Sequence, residues 1–252
     1  QWNQLGQDID GEAANDFSGD KVSLSADGNI VAIGAKKNDG VNGVDSGHVK
    51  VYQFDGTQWT QLGQDIDGEA AYDYSGFRVS LSADGNIVAI GAQGNDGVNG
   101  ANSGHVRVYE YDGTTWNQLG QDIDGEAAED ESGLDVSLSS DGTIVAIGAR
   151  RNDGDSGDAS DNRGHVRVFE YDGTAWNQLG QDIDGEAADD ESGYSVSLSA
   201  DGYTVAIGTI LNDGNGNSSG HVRVYEYDSS TWNQLGQDID GEAAADFSGR
   251  SV

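Results

Sequence analysis

The run Asp65-Ile66-Asp67-Gly68-Glu69-Ala70-Ala71-Tyr72-Asp73 sets carboxylates at positions 1, 3, 5 and 9 of a segment turned by one glycine. Such oxygens are hard ligands of the kind Ca²⁺ gathers, in sets of roughly six to eight. The run recurs along the chain, so the candidate metal ligands form five sets. They are Asp8, Asp10, Glu12 and Asp16; Asp65, Asp67, Glu69 and Asp73; Asp122, Asp124, Glu126 and Asp130; Asp182, Asp184, Glu186 and Asp190; and Asp238, Asp240, Glu242 and Asp246. The order differs from an EF-hand loop, in which glycine stands at position 6 and a bidentate Glu at position 12. The competing role is local: a carboxylate near a turn caps it by accepting backbone N–H bonds. Ca²⁺ is the one cofactor that the sequence suggests.

One His recurs per copy, at positions 48, 105, 165 and 221. All four share one register with no Cys nearby, which favours a structural ring bonded to neighbouring backbone over a metal or acid–base role. Trp2, Trp59, Trp116, Trp176 and Trp232 could serve as sugar-stacking platforms, but packing between adjacent units is favoured. Catalysis finds little support. Glycoside hydrolysis needs one acid of raised pKa in a unique pocket, whereas every carboxylate pair here is copied in each repeat. No Ser/His/Asp grouping, phosphate loop or redox cysteine stands out, so the chain is not expected to be an enzyme. A central channel assembled from several copies would escape this reading.

The elements that position these residues follow from the repeat. The Trp intervals are 57, 57, 60 and 56 residues, and each Trp opens the phrase seen at Trp116-Asn117-Gln118-Leu119-Gly120-Gln121-Asp122. Within a unit four strands are expected. Strand a, Val79–Ser82, alternates apolar and small polar residues, and Asp84-Gly85 gives a tight turn. Strand b, Ile87–Ala92, is apolar on both faces and therefore sandwiched. After a polar loop, strand c runs over His105–Tyr111, and strand d over Trp116–Asp124. No window shows a helical period. The expected fold is all-β, a β-propeller-type tandem array of four-stranded antiparallel blades, with a stacked array of small sheets as runner-up.

Composition sets outer bounds. Lys and Arg number 12 against 45 Asp and Glu, a formal charge of -33, which disfavours nucleic acid and anionic membranes as partners. No apolar run suggests membrane insertion. The 39 Gly suit a turn-rich β protein. The absent Met suggests a mature or excised segment. Cys is also absent, so redox usage says nothing of compartment.

Three stretches, Phe17-Ser18-Gly19-Asp20-Lys21-Val22-Ser23-Leu24, Ile30-Val31-Ala32-Ile33-Gly34-Ala35 and Gly47-His48-Val49-Lys50-Val51-Tyr52, resemble the FG-GAP repeat of integrin α-type β-propellers. The opening aromatic drifts from Phe17 and Tyr74 to Glu131 and Glu191. The resemblance implies an extracellular or cell-surface propeller that presents loops for adhesion, often with Ca²⁺ in some blades. It also implies a metal loop between strands a and b, but that place holds only the short turn Ser25-Ala26-Asp27-Gly28-Asn29. One carboxylate cannot wrap such an ion, so that site is not carried over.

The expected organisation is one array: a lone strand d and loop over 1–16, blades at 17–73, 74–130, 131–190 and 191–246, and the start of a further repeat at 247–252. The loop Asn38–Asp45, longest in the copy from Asp153 to Asp161, varies between units and is where recognition would lie. The expected function is a non-catalytic adhesion or ligand-binding scaffold whose loops meet a protein or glycan ligand. One alternative is a structural protein that associates with other copies of itself through open strand ends, as in a filament or matrix. A second is a lectin-like or enzymatic propeller.

Overall fold

The computed structural model describes residues 2–154 and 160–252. Four antiparallel sheets follow one another along the chain. The first contains β1 (Lys21–Leu24), β2 (Ile30–Ala35), β3 (His48–Phe54), β4 (Trp59–Gln61) and β5 (Ile66–Asp67). The second holds β6 (Arg78–Leu81), β7 (Ile87–Ala92), β8 (His105–Tyr111), β9 (Trp116–Gln118) and β10 (Ile123–Asp124). The third holds β11 (Asp135–Leu138), β12 (Ile144–Ala149), β13 (His165–Tyr171), β14 (Trp176–Gln178) and β15 (Ile183–Asp184). The fourth holds β16 (Ser192–Leu198), β17 (Thr204–Thr209), β18 (His221–Tyr227), β19 (Trp232–Gln234) and β20 (Ile239–Asp240). Among the described residues no helix is long and apolar enough to cross a membrane.

In each sheet the third strand pairs with the second along its length, and its other edge takes two short strands instead of one. The single strand d expected over Trp116–Asp124 is thus split into β9 and β10, which pair with opposite ends of β8. The cause lies in the next unit. At the break, the Leu119 carbonyl accepts the indole N–H of Trp176 at 2.8 Å, and Gln121 brackets the Trp176 backbone. Its side chain accepts the Trp176 N–H at 3.2 Å and donates to the Trp176 carbonyl at 2.9 Å. Leu62 and Gln64 hold Trp116 in the same way, and Leu179 and Gln181 hold Trp232. These indoles are buried and their one donor is satisfied, so they join neighbouring units rather than face a ligand.

The core lies between sheets. Ile30, Ala32, Val49, Val51 and Ile66 of the first sheet pack on Val79, Leu81, Val88, Ile90, Tyr109 and Trp116 of the second, and equivalent clusters fill the next two seams. Strand-a serines cross the seam as well: Ser23, Ser80 and Ser137 Oγ accept the amides of Leu81, Leu138 and Leu198, each at 3.0 Å. Backbones meet closely at Gly91, where a Cβ would lie 2.1 Å from the Gly133 carbonyl oxygen. Only glycine admits that approach.

Residues 2–16 form no strand, in contrast to the lone strand d expected there, and join none of the four sheets. The segment still takes the clamp position: the Trp59 indole donates to the Leu5 carbonyl at 2.9 Å and Gln7 brackets the Trp59 backbone. Both outer faces of the array stay open. Val22 and Leu24 are 56% and 58% exposed, against 8% for each of Val79 and Leu81. At the far face Ile239 is 59% exposed, against 4% for Ile66.

Removing a seam indole leaves a large cavity. Trp176→Ala should cost about 3–5 kcal/mol in urea unfolding, and Gln121→Ala about 1–2 kcal/mol through its lost bonds. Trp2, fully exposed, should tolerate alanine with no change in midpoint. Equal losses at Trp2 and Trp176 would contradict the clamp.

Candidate metal centre

The acidic run does not close on itself. Its first carboxylate stays with its own sheet, and its third crosses to the next. The result is four clusters: Glu12, His48 and Asp65; Glu69, His105 and Asp122; Glu126, His165 and Asp182; Glu186, His221 and Asp238. In each, the three ligand atoms lie within 4.8 Å of one another. In the last three clusters Glu comes from the loop leaving one sheet, while His comes from the third strand of the next and Asp from the break in its split fourth strand, so each spans one of the three seams. In the first, Glu12 comes from the segment 2–16, which belongs to no sheet.

The carboxylates are aimed by partners on their outer oxygens. Arg167 Nη1 lies 3.4 Å from Glu126 Oε1, leaving Oε2 3.9 Å from His165 Nδ1. Gln178 donates to Asp182 Oδ1 at 2.6 Å, as Gln118 does to Asp122 and Gln234 to Asp238. The remaining Oδ2 of Asp122 and Asp238 lies 4.0 and 3.9 Å from the facing Nδ1 of His105 and His221. Outer partners that orient ligands in this way are the usual second layer of a metal site. In the first cluster Lys50 takes the Arg position and bonds Glu12, which holds that carboxyl below its usual range.

The other members of the five sets take different positions. Asp67, Asp124, Asp184 and Asp240 lie opposite His48, His105, His165 and His221 in the strand ladder. Burial raises the carboxyls of Asp67 and Asp124. Asp16, Asp73, Asp130, Asp190 and Asp246 cap the following turn; Asp130 Oδ2 accepts the amides of Glu126 and Ala127 at 3.1 and 2.9 Å. Asp8 accepts a bond from Gln4, and Asp8, Asp10 and Glu242 join no cluster of this kind. No set of four assembles as one site.

The histidines do not make the backbone bond expected of them. His165 and His221 are 1% and 0% exposed, and neither ring nitrogen of either has a hydrogen-bond partner. Burial first, and then Arg167, brings His165 down to about 3; burial and Arg107 bring His105 down to about 4. Burial also lowers His48 and His221. The rings are neutral at pH 7. Beside the third cluster a cavity of about 170 Å³ is lined by Glu126, Asp130, Asn152, Asp153, Asp182 and Asp184.

The short turn between strands a and b offers no second centre. Asp27 Oδ1 accepts Ser25 Oγ–H at 2.7 Å and the Asn29 amide at 2.9 Å, and its Oδ2 accepts the Asn29 side chain. The Ca²⁺ loop implied by the FG-GAP resemblance does not fit these residues. Of the longest loop, positions 155–159 lie outside the described residues.

One position escaped the sequence reading. The residue that precedes Val22, Val79, Val136 and Val196 is Lys21, Arg78, Asp135 and Ser195 in turn, and these four converge with Arg250 around one opening of about 320 Å³. Arg78 Nε lies 2.9 Å from Asp135 Oδ1, while Asp135 Oδ2 accepts the Val196 amide at 2.8 Å. The signal was available: a changing residue inside an otherwise constant phrase.

Neither a protein-family model nor a curated protein matches the chain. Solved structures do. Hydrazine synthase of Kuenenia stuttgartiensis superposes with a TM-score of 0.54 at 12% identity, covering 95% of this chain and 53% of that one. A complex of KlAtg21 with the coiled-coil of AgAtg16 gives 0.56 at 13%, covering 87% and 57%. A putative 6-phosphogluconolactonase from Bacteroides uniformis gives 0.50 at 16%, covering 87% and 56%. The fold is a β-propeller. Each sheet is a blade, and the chain spans just over half the length of the solved propellers it matches. At such identity the likeness concerns fold alone, and the clusters stand on their own geometry.

In metal-free buffer the buried histidines set an acid limit. Unfolded His titrates near 6.5, whereas His105 and His165 remain neutral to about 4 and 3. Across that window the unfolded chain binds more protons, so stability falls with pH, by up to about 1.4 kcal/mol per pH unit per ring. Carboxylates raised by burial oppose this only lower down. The melting temperature should fall between pH 6.5 and 5.5, and His165→Asn with His221→Asn should flatten that fall. A flat profile in the parent chain would refute the assignment.

Proposed function

We propose that this chain is a non-catalytic scaffold that works outside the cell or at its surface, an FG-GAP-like propeller whose variable positions bind a protein or glycan ligand. The supporting observation is where the copies differ. Seam residues repeat, whereas differences gather in the b–c loops and at the axial residues Lys21, Arg78, Asp135 and Ser195. Constant seams with variable rims suit a framework that varies its recognition. The axial opening contains one carboxylate, and both its oxygens are engaged, which gives no acid–base pair. Exchanging residues 152–164 for 95–104, or Lys21 for Ser, should abolish binding to an array of glycans and matrix proteins at unchanged melting temperature. Binding that survives all such exchanges, or turnover of any bound glycan, would overturn the reading.

A second reading has its own observation. The exposed Val22 and Leu24 at one end, and Ile239 at the other, are the two halves of a seam that is closed everywhere inside the array. The occupant that fits is a second copy of this chain, docked head to tail. Two four-blade arcs give eight blades, within the roughly four to eight of closed propellers. Residues 232–246 repeat residues 2–16 with one change and would compete for Trp59. The former segment is fixed by strand pairing and the latter is not. Deleting residues 1–16 should therefore favour particles of about twice 26.3 kDa in light scattering, and Val22→Asp with Leu24→Asp should restore the monomer. Monomers throughout would remove this reading.

A further inference from the structure

We infer that each blade seam carries a binding site for a first-row divalent transition metal such as Zn²⁺, held by Glu of one blade and by His and Asp of the next. The donor sets are Glu69, His105 and Asp122; Glu126, His165 and Asp182; and Glu186, His221 and Asp238, one at each of the three seams.

Three observations carry it. The first is the orphaned imidazole. His165 and His221 are sealed from solvent with no hydrogen-bond partner on either nitrogen, and an unmet buried polar atom carries a standing cost. The Nδ1 of each faces a carboxylate oxygen at 3.9 Å, too far for a hydrogen bond. Two ligands about 2.0–2.1 Å from a tetrahedral Zn²⁺ stand about 3.3 Å apart, so a modest inward shift of each seats the ion.

The second is the division of labour on the seam carboxylates, whose outer oxygen is held by Arg or Gln and whose inner one faces the ring; at Glu12 and Asp65, by contrast, the Lys50 ammonium lies against both carboxylates. Two carboxylates turned toward a neutral ring repel one another until a cation lies between them. The guanidinium on the outer Glu oxygen offsets one negative charge, leaving the cluster near -1 and still attractive to a dication. Burial keeps the ring unprotonated and its lone pair available at pH 7.

The third is the donor chemistry. Ca²⁺ takes oxygen ligands, whereas imidazole with two carboxylates suits Zn²⁺ and its neighbours. The ion drawn by this geometry is thus not the one that the acidic run suggests when read as a local loop. Because the ligands come from two blades, the bound metal would staple the seam.

The test uses the whole chain, stripped with chelator and titrated with Zn²⁺ alone, with Co²⁺ as a spectroscopic probe and Ca²⁺ as control. The expected results are three Zn²⁺ per chain by calorimetry, a raised melting temperature, and a visible Co²⁺ spectrum with nitrogen in the ligand set. His165→Asn should reduce the stoichiometry to two. Should that variant fold poorly, Glu126→Gln, which alters an exposed carboxylate, should do the same. Gln178→Ala, which frees the outer oxygen of Asp182, should weaken that site by about tenfold or more. No Zn²⁺ uptake at millimolar metal, stoichiometry unmoved by both variants, or preference for Ca²⁺ would each overturn the inference. A failed Zn²⁺ titration would leave the scaffold reading intact, since loop exchange is read by ligand binding.

Discussion

A small antiparallel sheet with a central strand buried on both faces has no independent existence, and this constraint governs the whole molecule. Val88 and Ala89 are sealed on opposite sides of one strand by different neighbours. The hydrophobic term is collected only where two sheets meet, so the seam, rather than the sheet, is the unit of stability. Several of the features repeated in every unit serve that seam. The Trp fills it, and the Leu carbonyl and Gln side chain of the preceding unit fix the Trp in place. The strand-a Ser ties one innermost strand to the next.

Drift is tolerated where a second change compensates. The positions Phe17, Tyr74, Glu131 and Glu191 share one backbone conformation, with φ between 55° and 57°, a region uncommon for residues other than glycine. The chemistry above that backbone is interchangeable. Lys36 and Lys37 lie 5.7 and 5.8 Å from the Phe17 ring. Where the aromatic becomes Glu131, Arg150 and Arg151 pair with its carboxylate at 2.9 and 3.0 Å. Two solutions to one surface contact, cation over ring and cation on carboxylate, explain why the motif blurs while the fold does not.

Periodicity made much of this legible before any coordinates. Strands b and c, read as Ile87–Ala92 and His105–Tyr111, have those bounds in the structure, because alternation and turn residues are local properties. The split of strand d was hidden because its cause, Trp176, lies in the next copy. The acidic run misled for the same reason: neighbours in sequence read as ligands of one ion, yet Asp122 and Glu126 serve different seams. The orphaned state of His165 was beyond reach, since hydrogen-bond satisfaction depends on packing and not on spacing.

The loop from strand d to the next strand a must leave one blade and begin another, so its carboxylates cannot all remain with either. Asp122 reaches the ring on its own blade's third strand, whereas Glu126, four residues on, reaches the ring of the following blade. Any cation bound by this run is therefore shared between blades, and its affinity is linked to whether the seam is closed. Among the described residues Glu242 joins no such cluster, whereas Glu186 reaches His221 across the third seam. Chemistry and assembly are linked here: a seam that opens also parts the Glu of one blade from the His and Asp of the next.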